Sequence, residues 1–397
     1  MSELPVDQLL SVAGAIAIID ATPVQPRVQT VPLEQSAGRR LAADIIADRD
    51  DPPFDKSLMD GFAVRAGDGD VLQIVGEIAA GAASDRGISA GQAMSIMTGA
   101  PIPPGADAVV PVEQTRRQGQ AVHVQTMVKM GQSIGRRGSD CAAGAVVLKR
   151  GTLLGPAQIA VAASMGAANI EAYARPRVAI LSTGDEIVSV NQQPEGSQIR
   201  TSNSSMLHAL LTRLGCDVHD MGIVRDEPGL IRAELEKGME HDALFVTGGM
   251  SMGEYDYVPQ LLLEMGVELR ISKLRIKPGK PFVFGVRAGK FVFGLPGNPV
   301  SGYVCSLRLA ARLLRRMGGG PAESGVSTAM LRSPLPPNGP REFYQPGVLD
   351  DEGGIDPLKW KGSADIYTLA SGNALIIRAE SSPAMPIGAV VGVLRMP

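Results

Sequence analysis

The sequence predicts a multidomain chain of the α/β plus β class, with a central α/β domain flanked by small β domains. Three observations carry this. Between residues 177 and 317, apolar runs of strand length alternate with segments of helix length, as expected for a sheet covered by helices on both faces. Residues 62–132 and the last stretch after 320 read instead as short β-like runs punctuated by Gly, Pro and Asp. Finally, 397 residues exceed what one ordinary core supports, so two to four domains are expected.

Taken in order, residues 7–20 read as an amphipathic helix, followed by a Pro-punctuated extended piece centred on VPLEQSAGRRLAADI. Residues 9–19 have the apolarity of a secretion signal, but Glu3 and Asp7 precede them where positive charge is required. The motif DPPFDKSLMDGFA follows, in which two prolines fix φ and remove two donors, delaying regular structure. Short β-like runs then build a small β domain over 51–138, containing the proline-stiffened loop MTGAPIPPGADAVVP with Thr98 and Gly99. Residues 145–173 offer a strand, a helix opening near Pro156 and another strand. Together, 1–50 and 139–175 form a mixed α+β linking domain, with the N-terminal helix free to pack on the α/β domain and the β domain inserted between the two pieces.

The α/β domain spans 176–320. Strands are expected at 178–181, 218–224 and 243–246, and helices at 203–214, 230–239 and 258–265. The helix at 203 has Asn203 or Ser204 as its N-cap, with Gly215 just past its end. Residues 269–276 read as one extended piece, and two runs joined by Arg287-Ala-Gly-Lys290 as a hairpin. Asn298 caps and Pro299 opens a helix running to about 317. A second small β domain, 321–397, closes the chain.

Ligands of open α/β sheets bind beyond the carboxyl ends of the strands. That rule draws together Asp185 and Glu186, Asp226, the turn Gly248-Gly249 with Asp256, Lys277 with Lys280, and the start of the helix at Pro299. Glycines let backbone N–H groups turn toward an anion, carboxylates suit a metal such as Mg²⁺ bridging a phosphate ester, and lysines with a helix N-terminus suit an oxyanion. Each residue also has a structural reading: Asp226 as an N-cap, Asp185 and Glu186 as a solvated turn, the lysines as exposed turn residues, and the glycines as a tight turn. Read from the residues alone, the set describes a metal-dependent phosphate or oxyanion enzyme of unnamed substrate.

Composition narrows the partners. With 44% hydrophobic and 20% charged residues, and 38 basic against 41 acidic side chains, nothing suggests a surface for nucleic acid. No apolar run reaches membrane-spanning length. Cys141, Cys216 and Cys305 are odd in number and far apart, which fits a reducing cytoplasm better than a disulfide framework. The four histidines show no helical ligand pair.

The motifs DPPFDKSLMDGFAV, MTGAPIPPGADAVV, RRGSD, LSTGDEIV, TGGMSMGEYDY, IKPGKPFVFG and GLPGNPVS resemble, in order along most of the chain, the signatures of the molybdopterin molybdenumtransferases, the MoeA and gephyrin E-domain family. The resemblance implies a molybdopterin-binding, MogA-like α/β domain and Mg²⁺-dependent insertion of molybdate into adenylylated molybdopterin, with release of AMP and formation of molybdenum cofactor. It implies that Asp185, Glu186, Asp226 and Asp256 form the acidic cleft, with Glu186, Asp226 and Asp256 at the metal. Lys277, Lys280 and Ser301 would hold molybdate, with Pro296 and Pro299 shaping their loop and Gly248, Gly249 and Ser251 lining the substrate. Asp60, Thr98 and Asp140 match functional positions outside the α/β domain, and Arg341 and Ser363 the C-terminal domain's contribution. A cytoplasmic homodimer is implied, with the adenylyltransferase and molybdoenzyme acceptors as partners.

One departure stands out. Where the family commonly has an acidic residue before Ser/Thr-Asn, this chain has Thr201, so one carboxylate is missing and metal affinity is weaker or the position is peripheral. Two other readings remain at this point. The sister adenylyltransferase shares the α/β domain but carries Gly-Gly-Thr-Gly where this chain reads Gly248-Gly-Met-Ser, and a gephyrin-like dimeric scaffold would not need the acidic and lysine positions.

Overall fold

The computed structural model describes residues 9–82, 85–250, 257–323 and 325–397. Its central sheet is built from β1 (Arg177–Thr183), β2 (Asp217–Val224), β3 (Ala243–Thr247), β4 (Glu268–Ile271), β6 (Val283–Arg287) and β7 (Lys290–Leu295), with β5 (Ile276–Lys277) left to another sheet. The strand order is β2-β1-β3-β7-β6-β4. β2, β1, β3 and β7 run parallel, while the β6–β7 hairpin turns back and carries β4 antiparallel at the edge.

The near-continuous apolar character of β1 and β3 follows from this arrangement, because a parallel sheet is covered on both faces. Successive side chains alternate between two cores. Val178, Ile180, Phe245 and Phe293 face α1 (Val12–Ala21), α2 (Asn203–Arg213) and the helix after Pro299. Ala179, Leu181, Leu244 and Val246 face α3 (Pro228–Gly238) and α4 (Val258–Glu264).

Helix α1 begins at Val12, inside the 7–20 expected, because Ser11 caps it by accepting from the Gly14 N–H at 3.1 Å. Its buried residues Val12, Ala15 and Ile19 join the core of the α/β sheet. Neither Asn203 nor Ser204 caps α2. Ser202 takes the N-cap position without a side-chain bond, and the Asn203 amide donates instead to the Gly297 carbonyl at 2.7 Å. The helix after Pro299 is likewise not one regular helix: Pro299–Cys305 and Ala311–Met317 are joined by a π turn at Ser306–Ala310. Asn298 occupies its N-cap position but makes no side-chain cap bond. The stretch 269–276, expected as one extended piece, splits into β4 and β5, which belong to different sheets.

The C-terminal strands are β8 (Val326–Leu331), β9 (Glu342–Leu349), β10 (Gly354–Pro357), β11 (Ala374–Arg378) and β12 (Val390–Arg395). They pair as β9-β10-β8-β12-β11, and β11 pairs again with β9, closing a barrel around Leu331, Leu335, Ile355, Ile376 and Val393. Closure removes the exposed edges that an open sheet of short strands would leave. β5 lies parallel to β9 along the barrel.

Residues 31–37 and 43–170 form a separate compact unit from the remainder of the chain. Its six-stranded sheet runs Ala108–Pro111, Gly61–Val64, Gln92–Ile96, Val71–Ile78, Ala121–Val124, Thr115–Gln118. Gly61 is needed where its strand crosses the neighbour, since a Cβ there would sit 2.0 Å from the Val110 carbonyl oxygen.

Candidate functional site

At the carboxyl ends of β1, β3 and β7, beside the barrel, lies a pocket of about 680 Å³. β3 ends in Thr247, and the next residue, Gly248, has φ +92° with its Cα so close to β1 that a Cβ would meet the Thr183 carbonyl oxygen at 2.3 Å. Only glycine permits this turn, which sets Gly248 and Gly249 into the pocket wall. The turn after β1 contributes Glu186, the loop after β7 contributes Pro296, Gly297 and Asn298, and the following helix contributes the buried hydroxyl of Ser301.

The rest of the lining is mostly basic. Lys277, at the end of β5, and Lys280, on the turn that returns to β6, both line the cavity, together with Arg341, Trp360, Lys361, Gly362 and Ser363 from the barrel side. The Ser363 carbonyl accepts from the Val300 N–H at 3.1 Å, tying this barrel loop to the first turn of the helix that carries Ser301. Glu186 is the one carboxylate among the described lining residues, against four cationic side chains. Such a lining attracts oxyanions while keeping one carboxylate within the same cavity.

Of the residues singled out by sequence, Glu186, Gly248, Gly249, Lys277, Lys280, Pro296, Ser301, Arg341 and Ser363 meet in this pocket. Asp185 and Asp226 adjoin each other just outside its wall, with the Asp226 N–H donating to Asp185 Oδ1 at 3.3 Å, and Pro299 stands at the start of the helix without lining the cavity. Ser251 and Asp256 lie outside the described residues. In the β unit, Asp60 Oδ1 accepts from both the N–H and the hydroxyl of Thr98, each at 2.7 Å, and these bonds hold the Asp60 carboxyl below its usual range. Asp140, in the same unit, accepts from the Ser139 hydroxyl at 3.0 Å.

Sequence reasoning missed Asn298, Trp360, Lys361 and Gly362. The available signal was the run Lys359-Trp360-Lys361-Gly362-Ser363, which holds the chain's single tryptophan between two lysines.

Among the described residues no group of three or more His, Cys, Asp or Glu side chains forms a preassembled metal cage. Mg²⁺ does not need one, since it is commonly held by one or two carboxylates, waters and substrate phosphate oxygens. Asp185, Glu186 and Asp226, on adjoining turns, supply the hard oxygen donors of that kind, so the donor set fits the ion.

Residues 10–166 match the model of the MoeA N-terminal region (domain I and II), and residues 179–316 that of the probable molybdopterin binding domain. A molybdopterin molybdenumtransferase of Nostoc sp. is 34% identical over 94% of this chain and 90% of its own. One from Staphylococcus aureus is 36% identical over 71% of this chain and 69% of its own. The chain belongs to the molybdopterin molybdenumtransferase family. The crystal structure of a MoeA protein from Pyrococcus horikoshii superposes with a TM-score of 0.84 at 28% identity, covering 98% of this chain and all of that one. The family reading made from the seven motifs is therefore borne out, as is the mixed fold with a MogA-like α/β domain and a C-terminal β domain, here closed into a barrel. Membership makes the chain a transferase of molybdenum cofactor biosynthesis. Among the described residues, no helix is long and apolar enough to cross a membrane.

Proposed function

We propose that this pocket inserts molybdenum from molybdate into molybdopterin presented in its adenylylated form, releasing AMP in a Mg²⁺-dependent reaction. The observation that carries the reading is that one cavity is lined by Lys277, Lys280, Arg341 and the Ser301 hydroxyl together with Glu186, with Asp185 and Asp226 adjoining. Molybdate is a dianion. Lysine and arginine heads, hydroxyls and backbone N–H groups are suitable ligands for it, whereas carboxylates repel it.

In this reading the basic side chains bind and orient molybdate, and the Gly248-Gly249 turn borders the organic substrate. Glu186, Asp226 and Asp256, with Asp185 beside them, would hold Mg²⁺ at the pyrophosphate end, and Ser251 would contact the substrate. Mg²⁺ bound there would supply positive charge to the pyrophosphate. Pro296 and Pro299 restrict the loop that presents Ser301. We assign Asp60, Thr98 and Asp140 to the same reaction, and take the enzyme to be a cytoplasmic homodimer served by an adenylyltransferase and delivering to molybdoenzyme acceptors. The domain plan 1–50 with 139–175, 51–138, 176–320 and 321–397 belongs to the same proposal.

The test is AMP release from adenylylated molybdopterin, with and without molybdate and Mg²⁺. Molybdate-stimulated, Mg²⁺-dependent release coupled to cofactor formation supports the reading. AMP formation from ATP and unmodified molybdopterin would assign the chain to the adenylylation step instead.

A further inference from the structure

Among the described residues, the ammonium of Lys277 has neither a carboxylate nor a hydrogen-bond partner, although it is partly buried in the pocket wall. What it has is rings. β5 runs parallel to β9 with Lys277 registered against Phe343, which places Nζ 4.5 Å from the centroid of the Phe343 ring and 5.6 Å from that of Trp360. The two rings are themselves in contact, with centroids 5.1 Å apart and planes tilted by 39°. Phe343 is buried in the barrel, and Trp360 lines the cavity.

The chemistry of that wall differs from that of a salt bridge. A carboxylate at ion-pair distance would hold the lysine but cancel its charge, and would compete directly with an incoming dianion. An aromatic face attracts an ammonium through its quadrupole and carries no net charge, so the cation keeps its full charge toward the pocket. The rings also restrict a long, flexible side chain before any ligand arrives, which lowers the entropy lost on binding. Arg378, buried with its guanidinium carbon 5.5 Å from the Phe343 ring, has no carboxylate partner among the described residues and adds positive potential behind the wall.

We propose that Trp360 and Phe343 are positioning residues for Lys277, forming an aromatic clamp by which the C-terminal barrel fixes the lysine for oxyanion binding without neutralising it. This rests on the assignment of Lys277 to molybdate. The clamp needs a ring rather than the indole N–H, which has no acceptor among the described residues.

The test is molybdate binding to the full chain by equilibrium dialysis, with no second substrate present. Trp360→Leu weakens binding about three- to tenfold, the range expected for a partly desolvated cation and ring. Trp360→Phe stays within about threefold of wild type and binds more tightly than Trp360→Leu, because a smaller aromatic face is kept while the N–H is lost. Trp360→Leu introduced into Lys277→Ala produces no further loss, because the clamp acts only through the lysine. Trp360 is the only tryptophan, so wild-type emission changes saturably with molybdate at the same half-saturation as dialysis. Should Trp360→Leu melt early, Trp360→Met gives a side chain of flexible fit without a ring. Wild-type affinity in both ring-less variants, beside a weakened Lys277→Ala, overturns the clamp alone. Unchanged affinity in Lys277→Ala overturns the clamp and the oxyanion assignment together.

Discussion

The backbone N–H of Asp226 donates to Oδ1 of Asp185 at 3.3 Å, so the turns that follow the adjacent parallel strands β1 and β2 are tied together at their carboxyl ends. Two acidic turns that the sequence separates by forty residues thus share one flank of the pocket. Asp226→Asn should slow AMP release by about 10²-fold at saturating substrate and Mg²⁺, the usual scale for removing one preorganised electrostatic group. A thermal melt should stay within about 2 °C of wild type, because a half-exposed turn carboxylate adds little to core packing. Normal turnover in this variant would remove the acidic flank from the mechanism.

Lys277→Ala and Lys280→Ala should each raise the molybdate concentration for half-maximal AMP release by about tenfold or more, since a charge-assisted hydrogen bond to an oxyanion contributes about 1.5–3 kcal/mol. High molybdate should restore most of the rate. Loss of rate with unchanged half-saturation would place the lysines elsewhere in the reaction.

Asp242 is a structural hub at the opposite, amino end of β3. It accepts from the Arg27 guanidinium at 2.6 Å and the Arg177 N–H at 2.9 Å, with the Arg177 guanidinium at 3.4 Å and the Lys290 ammonium at 3.5 Å. Burial pushes its carboxyl upward, but the Arg177 N–H and the charges of Arg27 and Arg177 outweigh burial and hold it below its ordinary value. A depressed folded-state pKa stabilises the native state fully above the unfolded value near 4, and that contribution is lost as pH falls through the lower native value. Asp242→Asn should therefore destabilise by about 1–3 kcal/mol at pH 7, with the gap to wild type closing in acid. Denaturant melts from pH 7 to pH 3 provide the check, and a gap that widens on acidification would contradict the sign.

The Asp60 carboxyl is held low chiefly by the Thr98 hydroxyl, and next by the Thr98 N–H. Thr98→Val removes the first donor and leaves the second. The Asp60 pKa should rise toward its ordinary value and remain below it, measurable by carboxyl-carbon NMR titration. Alanine at Asp60 should abolish activity while leaving the β sheet of that unit folded, because Asp60 is an exposed residue ahead of the buried strand Gly61–Val64. A fully active Asp60→Ala enzyme would reduce the pair to a loop brace.

The strands β1 and β3 were legible because burial on both faces makes a short apolar run stand out, and the turns at their ends followed from the general placement of ligand sites in such sheets. Lys277, Lys280 and Ser301 could be named from motifs that resembled a family. Trp360 and Lys361 could not be placed, because they sit on the loop after β10 that Gln345 and Pro346 of β9 hold beside Lys277, and the pairing of β5 with β9 that brings the lysine there is not encoded by any local pattern. The passage of 269–276 from one sheet to another was hidden for the same reason: both halves have strand propensity, and tertiary pairing alone separates β4 from β5. Asn203 misled as a cap, since the N-cap position falls one residue earlier than expected, at Ser202, and the Asn203 amide donates to Gly297, distant in sequence.

The most direct measurement of the central claim is the location of the oxyanion itself. Crystals of the full chain soaked in molybdate or tungstate and measured near the metal's absorption edge should show an anomalous peak inside the pocket, within hydrogen-bonding reach of Lys277, Lys280, Ser301 and Arg341. A well-occupied peak elsewhere on the chain, with no density between these four side chains in crystals of active enzyme, would contradict the account.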